Sequence, residues 1–172
     1  MSSMFALACR QSSVHVVQIV RARPCPSVFV RAIRAAPSRN PKSEIEQAVS
    51  GLRRASEQDP LVPGLLTRAW LRFFTGPSTG PDSAQADLDE AWEIAERGPM
   101  KLFLADIHLY RARLFFREAV YPWKEAKNRK GELVNNRTPK DDLDDAEFLI
   151  KTCGYHRRDQ ELADAKRVIL RP

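Results

Sequence analysis

The sequence predicts an all-α fold, an α-solenoid of antiparallel helical hairpins closed by a C-terminal capping helix, and three observations carry that expectation. The pattern Leu-x-Arg-Ala-x-Leu occurs twice, as Leu66-Thr67-Arg68-Ala69-Trp70-Leu71 and, 43 residues on, as Leu109-Tyr110-Arg111-Ala112-Arg113-Leu114. Each copy is followed by an acidic signature, Asp87-Leu88-Asp89-Glu90-Ala91 and Asp142-Leu143-Asp144-Asp145-Ala146, and a weaker example, Glu44-Ile45-Glu46-Gln47-Ala48, precedes both. The breaks between apolar stripes fall at Asp59-Pro60, Gly76-Pro77, Gly98-Pro99 and Thr138-Pro139, where helices stop or restart. A unit made of two helices cannot bury its apolar face alone, so repetition at this period implies stacking.

Residues 1–42 form a separate basic segment, expected to be poorly ordered. They hold seven Lys and Arg and no Asp or Glu, which leaves 21 basic against 22 acidic side chains from Ser43 onward. The formal charge of +6 therefore belongs to this segment, and the repeat body is nearly neutral. Val14 to Val20 and Val28 to Ile33 are apolar and β-rich but sustain no helical stripe. Three readings stay open: an unstructured leader, a remnant of an earlier repeat or preceding domain, and a targeting segment, since an acid-free, Arg- and Ser-bearing leader is similar in composition to an organelle transit peptide.

The repeat body spans 43–172. Ser43 with Glu46 three residues on reads as a capping box opening a helix with Ile45, Ala48, Val49 and Leu52 on one face, ending near Gln58. Asp59 caps the next, Pro60 takes its first position, and Val62, Leu65, Leu66, Ala69, Trp70 and Phe73 make a broad stripe. Asp82 is expected to cap a helix carrying Ala84, Leu88, Ala91, Trp92 and Ala95. Met100 to Ala119 is apolar over so wide an arc that it should be the central, most buried helix. Tyr121 to Arg137 interrupts the period by about 12 residues and carries Lys124, Lys127, Arg129, Lys130 and Arg137 with Tyr121 and Trp123. Thr138, Pro139 and Asp141 restart a helix holding Leu143, Ala146, Leu149 and Ile150, Gly154 ends it, and roughly Asp159 to Leu170 caps the stack.

The paired helices resemble tetratricopeptide repeats, in the small residues Ala69 and Ala112 of the first helices and Ala84, Ala91 and Ala146 of the second, with large apolar residues between them. Residues 86–98 and 153–165 look like the C-terminal repeat regions of large bacterial multidomain proteins, signal-transducing ATPases and related conflict-system proteins. The resemblance covers about Ser43 to Leu170 and implies a non-catalytic scaffold or sensor that binds a protein or peptide in a concave groove. It places Trp70, Phe73, Arg113, Phe116 and Arg117 at or near that groove, with core as the other reading for the aromatics. The inserted segment, through Trp123, Lys127 and Arg129, is a second candidate surface. The chain departs from the family at Arg68 and Arg111, which stand where a large apolar residue is usual, and it has no G-x-x-x-x-G-K-[ST] phosphate loop, so an ATPase would lie in another part of a longer protein.

Arg68 and Arg111 recur in one register, as do Asp87, Asp89, Asp142 and Asp144. Either each guanidinium meets one of these carboxylates between helices, as a ladder shared by the repeats, or both arginines lie on solvated faces.

Enzyme chemistry is not expected. His15, His108 and His156 lie in different contexts, none beside a nucleophile and an orienting third group. The acids from Asp141 to Asp145 suit the first turn of a helix without a metal, and neither a metal nor another cofactor is implied. Cys9, Cys25 and Cys153 form no pair motif and favour a reducing compartment, so the chain is expected in the cytoplasm, where the formal sequon Asn136-Arg137-Thr138 would be idle. No apolar run approaches the roughly 18 to 20 residues of a membrane span. The alternative function is binding of nucleic acid or another acidic partner through the basic segment and residues 121–137.

Overall fold

The structure is a computed structural model, and residues 40–170 are the ones it describes. The chain divides into Met1–Arg39 and Asn40–Pro172. The expectations for the two apolar patches and the targeting reading fall outside the described residues.

Six α-helices dominate the described part: α1 Pro41–Ala55, α2 Gln58–Thr75, α3 Ala84–Arg97, α4 Lys101–Phe115, α5 Pro139–Thr152 and α6 Asp159–Ile169. A single turn of 3-10 helix, His156–Arg158, precedes α6, and a short antiparallel hairpin pairs β1, Ala126–Lys127, with β2, Leu133–Val134. The fold is therefore all-α apart from that hairpin. Each helix packs on the next, and α2 also packs on α4 and α4 on α6. No helix of the described residues is long and apolar enough to cross a membrane.

Several boundaries differ from the sequence expectation, each for a local reason. Helix α1 begins before Ser43, because the Asn40 side chain accepts from the Lys42 N–H at 3.1 Å and Pro41 takes the first helical position. Glu46, expected to complete a capping box, reaches across to Arg68 and Arg72 instead. Helix α2 starts at Gln58 rather than after Asp59, and Pro60 lies within its first turn, where the backbone N–H has no helical partner to lose. Ser83, not Asp82, caps α3 by accepting from the Ala86 N–H at 3.2 Å. Helix α4 ends at Phe115 instead of continuing to Ala119, and the chain then turns inward to bury Tyr121 and Trp123. At α5 the Thr138–Asp141 capping box forms: Thr138 N–H and Oγ1 both donate to Asp141 Oδ2 at 2.7 Å.

Every residue from Ala105 to Ala112 is buried. On one side of α4, Ala105, Leu109 and Ala112 join Leu143, Ala146, Leu149 and Ile150 of α5 and Leu162 and Ala165 of α6 in a continuous core. The small residues at 105, 112 and 146 let the helix axes approach closely, and the Leu and Ile side chains fill the space between them. A helix enclosed on all sides must also enclose its polar side chains. Three of these, Asp106, His108 and Arg111, lie in the middle of α4, and their partners organise the site.

Candidate functional site

Asp106 faces α6. Arg158 Nε donates to Asp106 Oδ1 at 2.7 Å and its Nη2 to Oδ2 at 3.0 Å, while its Nη1 reaches Glu161 Oε2 at 2.6 Å. One guanidinium thus bridges two buried carboxylates and fastens the last helix to the central one. The charge of Asp106 and Glu161 holds Arg158 above its ordinary pKa although burial works the other way. Arg113, two turns from Asp106 on the same side, has Nη1 3.7 Å from Glu161 Oε2.

His108 and Arg111, three residues apart, point to the opposite side. His108 Nδ1 lies 2.6 Å from Asp142 Oδ1, and both side chains are completely buried. Asp142 also accepts from Arg137 Nη2 at 2.8 Å and from the Tyr121 hydroxyl. Burial raises the Asp142 pKa, but the hydrogen bond and charge of His108 with the charges of Arg111 and Arg137 outweigh it, bringing the carboxyl down to about 2. Burial and the neighbouring Asp142 push the Tyr121 hydroxyl well up, so it stays a donor.

Arg111 is stacked between two indoles, its guanidinium carbon 4.5 Å from the Trp92 ring and 4.6 Å from the Trp123 ring. Its one carboxylate hydrogen bond is long, 3.4 Å from Nη2 to Asp89 Oδ1, and burial holds its pKa below the ordinary value. Trp123 completes the arrangement by donating from Nε1 to Asp89 at 2.6 Å and packing edge-on against Phe115, with ring centres 4.9 Å apart.

The ladder expectation is met in the first repeat and altered in the second. Arg68 Nε donates to both oxygens of Asp87 at 3.1 Å, Nη2 to Oδ1 at 2.7 Å, and Nη1 to Glu46 at 3.0 Å. Arg72 joins the same two carboxylates, at 3.0 Å from Asp87 and 2.8 Å from Glu46. In the second repeat the register would pair Arg111 with Asp142. The inserted segment changes this: Trp123 draws Arg111 into the indole stack, and Arg137 supplies the guanidinium to Asp142 and, at 2.9 Å, to Asp145. Asp144 is exposed.

Of the residues expected to bind a partner, Trp70 and Phe73 are half-buried on α2 and share an aromatic cluster with Phe74. Trp70 and Phe74 ring centres are 5.2 Å apart, Phe73 and Phe74 5.5 Å, and Phe73 meets Phe115 of α4 at 5.0 Å. Phe74 is 61 % exposed. Phe116 is half-buried, with the exposed Arg117 over its ring at 5.0 Å. Arg113 is directed to Glu161 of α6 rather than to this cluster. Trp123 is only 5 % exposed. Lys127 Nζ lies 2.7 Å from Glu96, and Arg129 Nη1 lies 2.7 Å from Asp145 with its guanidinium over Phe148 at 4.2 Å.

Phe74, Asp106 and Arg158 are not among the site residues the sequence predicts, and Tyr121 and Arg137 enter there only as members of the inserted segment. Phe74 had a signal in the i, i+3, i+4 spacing of Trp70, Phe73 and Phe74. The partnership of Asp106 with Arg158, 52 residues apart, had none.

The His108–Asp142 pair has the geometry of an acid–base couple, yet its surroundings are closed. His108 Nε2 is buried without a hydrogen-bond partner, and the Trp92 ring stands edge-to-face with the imidazole at 5.0 Å. Among the described residues no group of three or more His, Cys, Asp or Glu side chains is placed to hold a metal ion. Comparison with protein-family models, with curated proteins and with solved structures finds no match for this chain.

Proposed function

We propose that residues 41–170 are a stack of tetratricopeptide-like helical hairpins acting as a non-catalytic protein-interaction module, with the aromatic face of α2 as its docking surface. The observation that carries this reading is Phe74: a phenylalanine that is 61 % exposed and packs against Trp70 in a tilted ring contact and against Phe73 in an edge-on one. An exposed aromatic continuous with half-buried ones offers apolar surface on which a partner can anchor. Packing of α2 on α4 and of α4 on α6, in addition to each helix on its neighbour, supports the stacked-hairpin reading, because stacking brings alternate helices together. The enclosed state of His108 and Asp142 supports a non-catalytic role, since a general base must reach its substrate.

The second reading, capture of nucleic acid or another acidic partner by the basic N-terminal segment and residues 121–137, is weakened in its second part by pairing within the chain. Lys127, Arg129 and Arg137 are each committed to a carboxylate of this chain, which lowers the field the segment presents outward.

The test is a photo-crosslinking phenylalanine analogue placed at position 74 of the full chain and activated in the cells that produce it. A discrete protein adduct is expected at 74, lost when Trp70→Ala and Phe73→Ala are added, with none from the same probe at exposed Lys151. No adduct at 74, or equal adducts at both positions, would refute the docking surface.

A further inference from the structure

We propose that Ser56 is a phosphorylation site for a serine/threonine protein kinase that selects arginine at the two positions lying three and two residues before its acceptor. The run Arg53-Arg54-Ala55-Ser56 closes α1 and leads into α2. Every residue from Arg53 to Asp59 is exposed, and the Arg53 side chain is 42 % accessible. Two successive guanidiniums ahead of an accessible hydroxyl are what an acidic substrate cleft recognises, by charge and by forked hydrogen bonding.

A kinase takes its acceptor as an extended strand, so the turn has to open. Two backbone bonds close it, Ser56 N–H to Arg53 O at 3.1 Å and Glu57 N–H to Leu52 O at 3.2 Å, and the last turn of α1, Arg53 to Ala55, unwinds with it. Both lie at an exposed helix end, where local opening costs little. Ser56 itself has φ 57° and ψ 26°, a left-handed conformation that is unfavourable for a residue with a Cβ, so opening relieves strain. In the transfer, Ser56 Oγ attacks the γ-phosphorus of a nucleoside triphosphate and the bond to the bridging β-phosphate oxygen breaks. The nucleoside diphosphate departs, and the hydroxyl proton passes to the kinase's base.

The position also gives the modification an effect. Ser56 lines an open cavity of about 380 Å³ together with Arg53, Arg97, Glu90 and Glu93. Arg53 spans from α1 to α3, donating from Nε to Glu90 Oε1 at 2.9 Å and from Nη2 to Oε2. A phosphoserine carries nearly two negative charges against one for a carboxylate. It therefore draws Arg53 away from Glu90 and repels Glu90 and Glu93, which loosens the tie between α1 and α3. This inference does not depend on the aromatic docking surface.

The experiment incubates the full chain with a recombinant arginine-directed kinase and ATP and locates phosphate by tandem mass spectrometry. The expected result is one phosphoryl group on Ser56 of the folded protein, none in Ser56→Ala, and initial rates about tenfold lower for Arg53→Ala and for Arg54→Ala, the loss of one charged contact. Because Arg53→Ala also breaks the contact to Glu90, Glu90→Gln serves as the structural control and is expected to be phosphorylated at least as fast as the parent. A folded chain that takes up no phosphate at Ser56, or rates indifferent to both arginine substitutions, overturns the assignment.

Discussion

Arg68 of α2 and Asp87 of α3 form a buried two-pronged ion pair in which Nε and Nη2 of the arginine meet the carboxylate at 3.1 and 2.7 Å. Both side chains are almost fully enclosed, so neither charge has water to fall back on. Removing Arg68 leaves the buried Asp87 with Arg72 alone, at 3.0 Å. Arg68→Ala is therefore expected to cost about 2 to 3 kcal/mol in chemical denaturation, below the loss found when a buried charge is left without any partner. Arg68→Lys keeps the charge but not the fork and should recover only part of the loss. If Arg68→Ala instead unfolds within 1 kcal/mol of the parent, the pair is not holding α2 to α3.

The inserted segment should be released by a single substitution. Trp123 packs on Arg111, Phe115 and Tyr121 and donates to Asp89. Trp123→Ala removes all four contacts and is expected to destabilise the fold by about 3 to 5 kcal/mol. Limited trypsin digestion gives the local readout, with cleavage after Lys124, Lys127, Arg129 and Lys130 rising before the helices are cut.

Acid should weaken the chain partly through Asp142. Its carboxyl titrates near pH 2 in the folded protein, against 3.8 in its absence. A carboxyl with a depressed folded pKa stabilises fully above the unfolded value and loses that contribution as pH falls through the folded one. The window is thus pH 4 down to pH 2, and the contribution is about 2 kcal/mol. Denaturation midpoints for the parent should fall more steeply across that window than those of Asp142→Asn, which has no such proton to take up. Parallel slopes would remove Asp142 from the account.

Exposed and buried aromatics of the same cluster should separate cleanly. Phe115 is completely buried, and Phe115→Ala is expected to cost about 3 to 5 kcal/mol. Phe74→Ser, at the open end of the same ring cluster, should leave thermal unfolding within about 0.5 kcal/mol of the parent. A large loss from Phe74→Ser would make Phe74 a structural residue rather than a docking one.

The sequence by itself determined the helices and their order. Apolar stripes of period 3.6, a proline near the start of a helix and a glycine or proline at its end act within one or two turns, so they are readable from neighbours in the chain. The wide apolar arc of 100–119 likewise marked α4 as the enclosed helix, and recurrence of Arg68 and Arg111 marked both as unusual. What only the tertiary structure decided is which charge each polar side chain meets. Arg68 and Arg111 share the Leu-x-Arg-Ala-x-Leu pattern, yet one grips Asp87 and the other lies between Trp92 and Trp123, because residues 121–137 fold back only after the second copy and bring Arg137 to Asp142. Ion pairing depends on distances of a few ångströms between residues many positions apart, and the exposure of Phe74 depends on where Phe73 finds Phe115. Neither is written in the spacing of any single helix; both follow from how the helices pack in three dimensions.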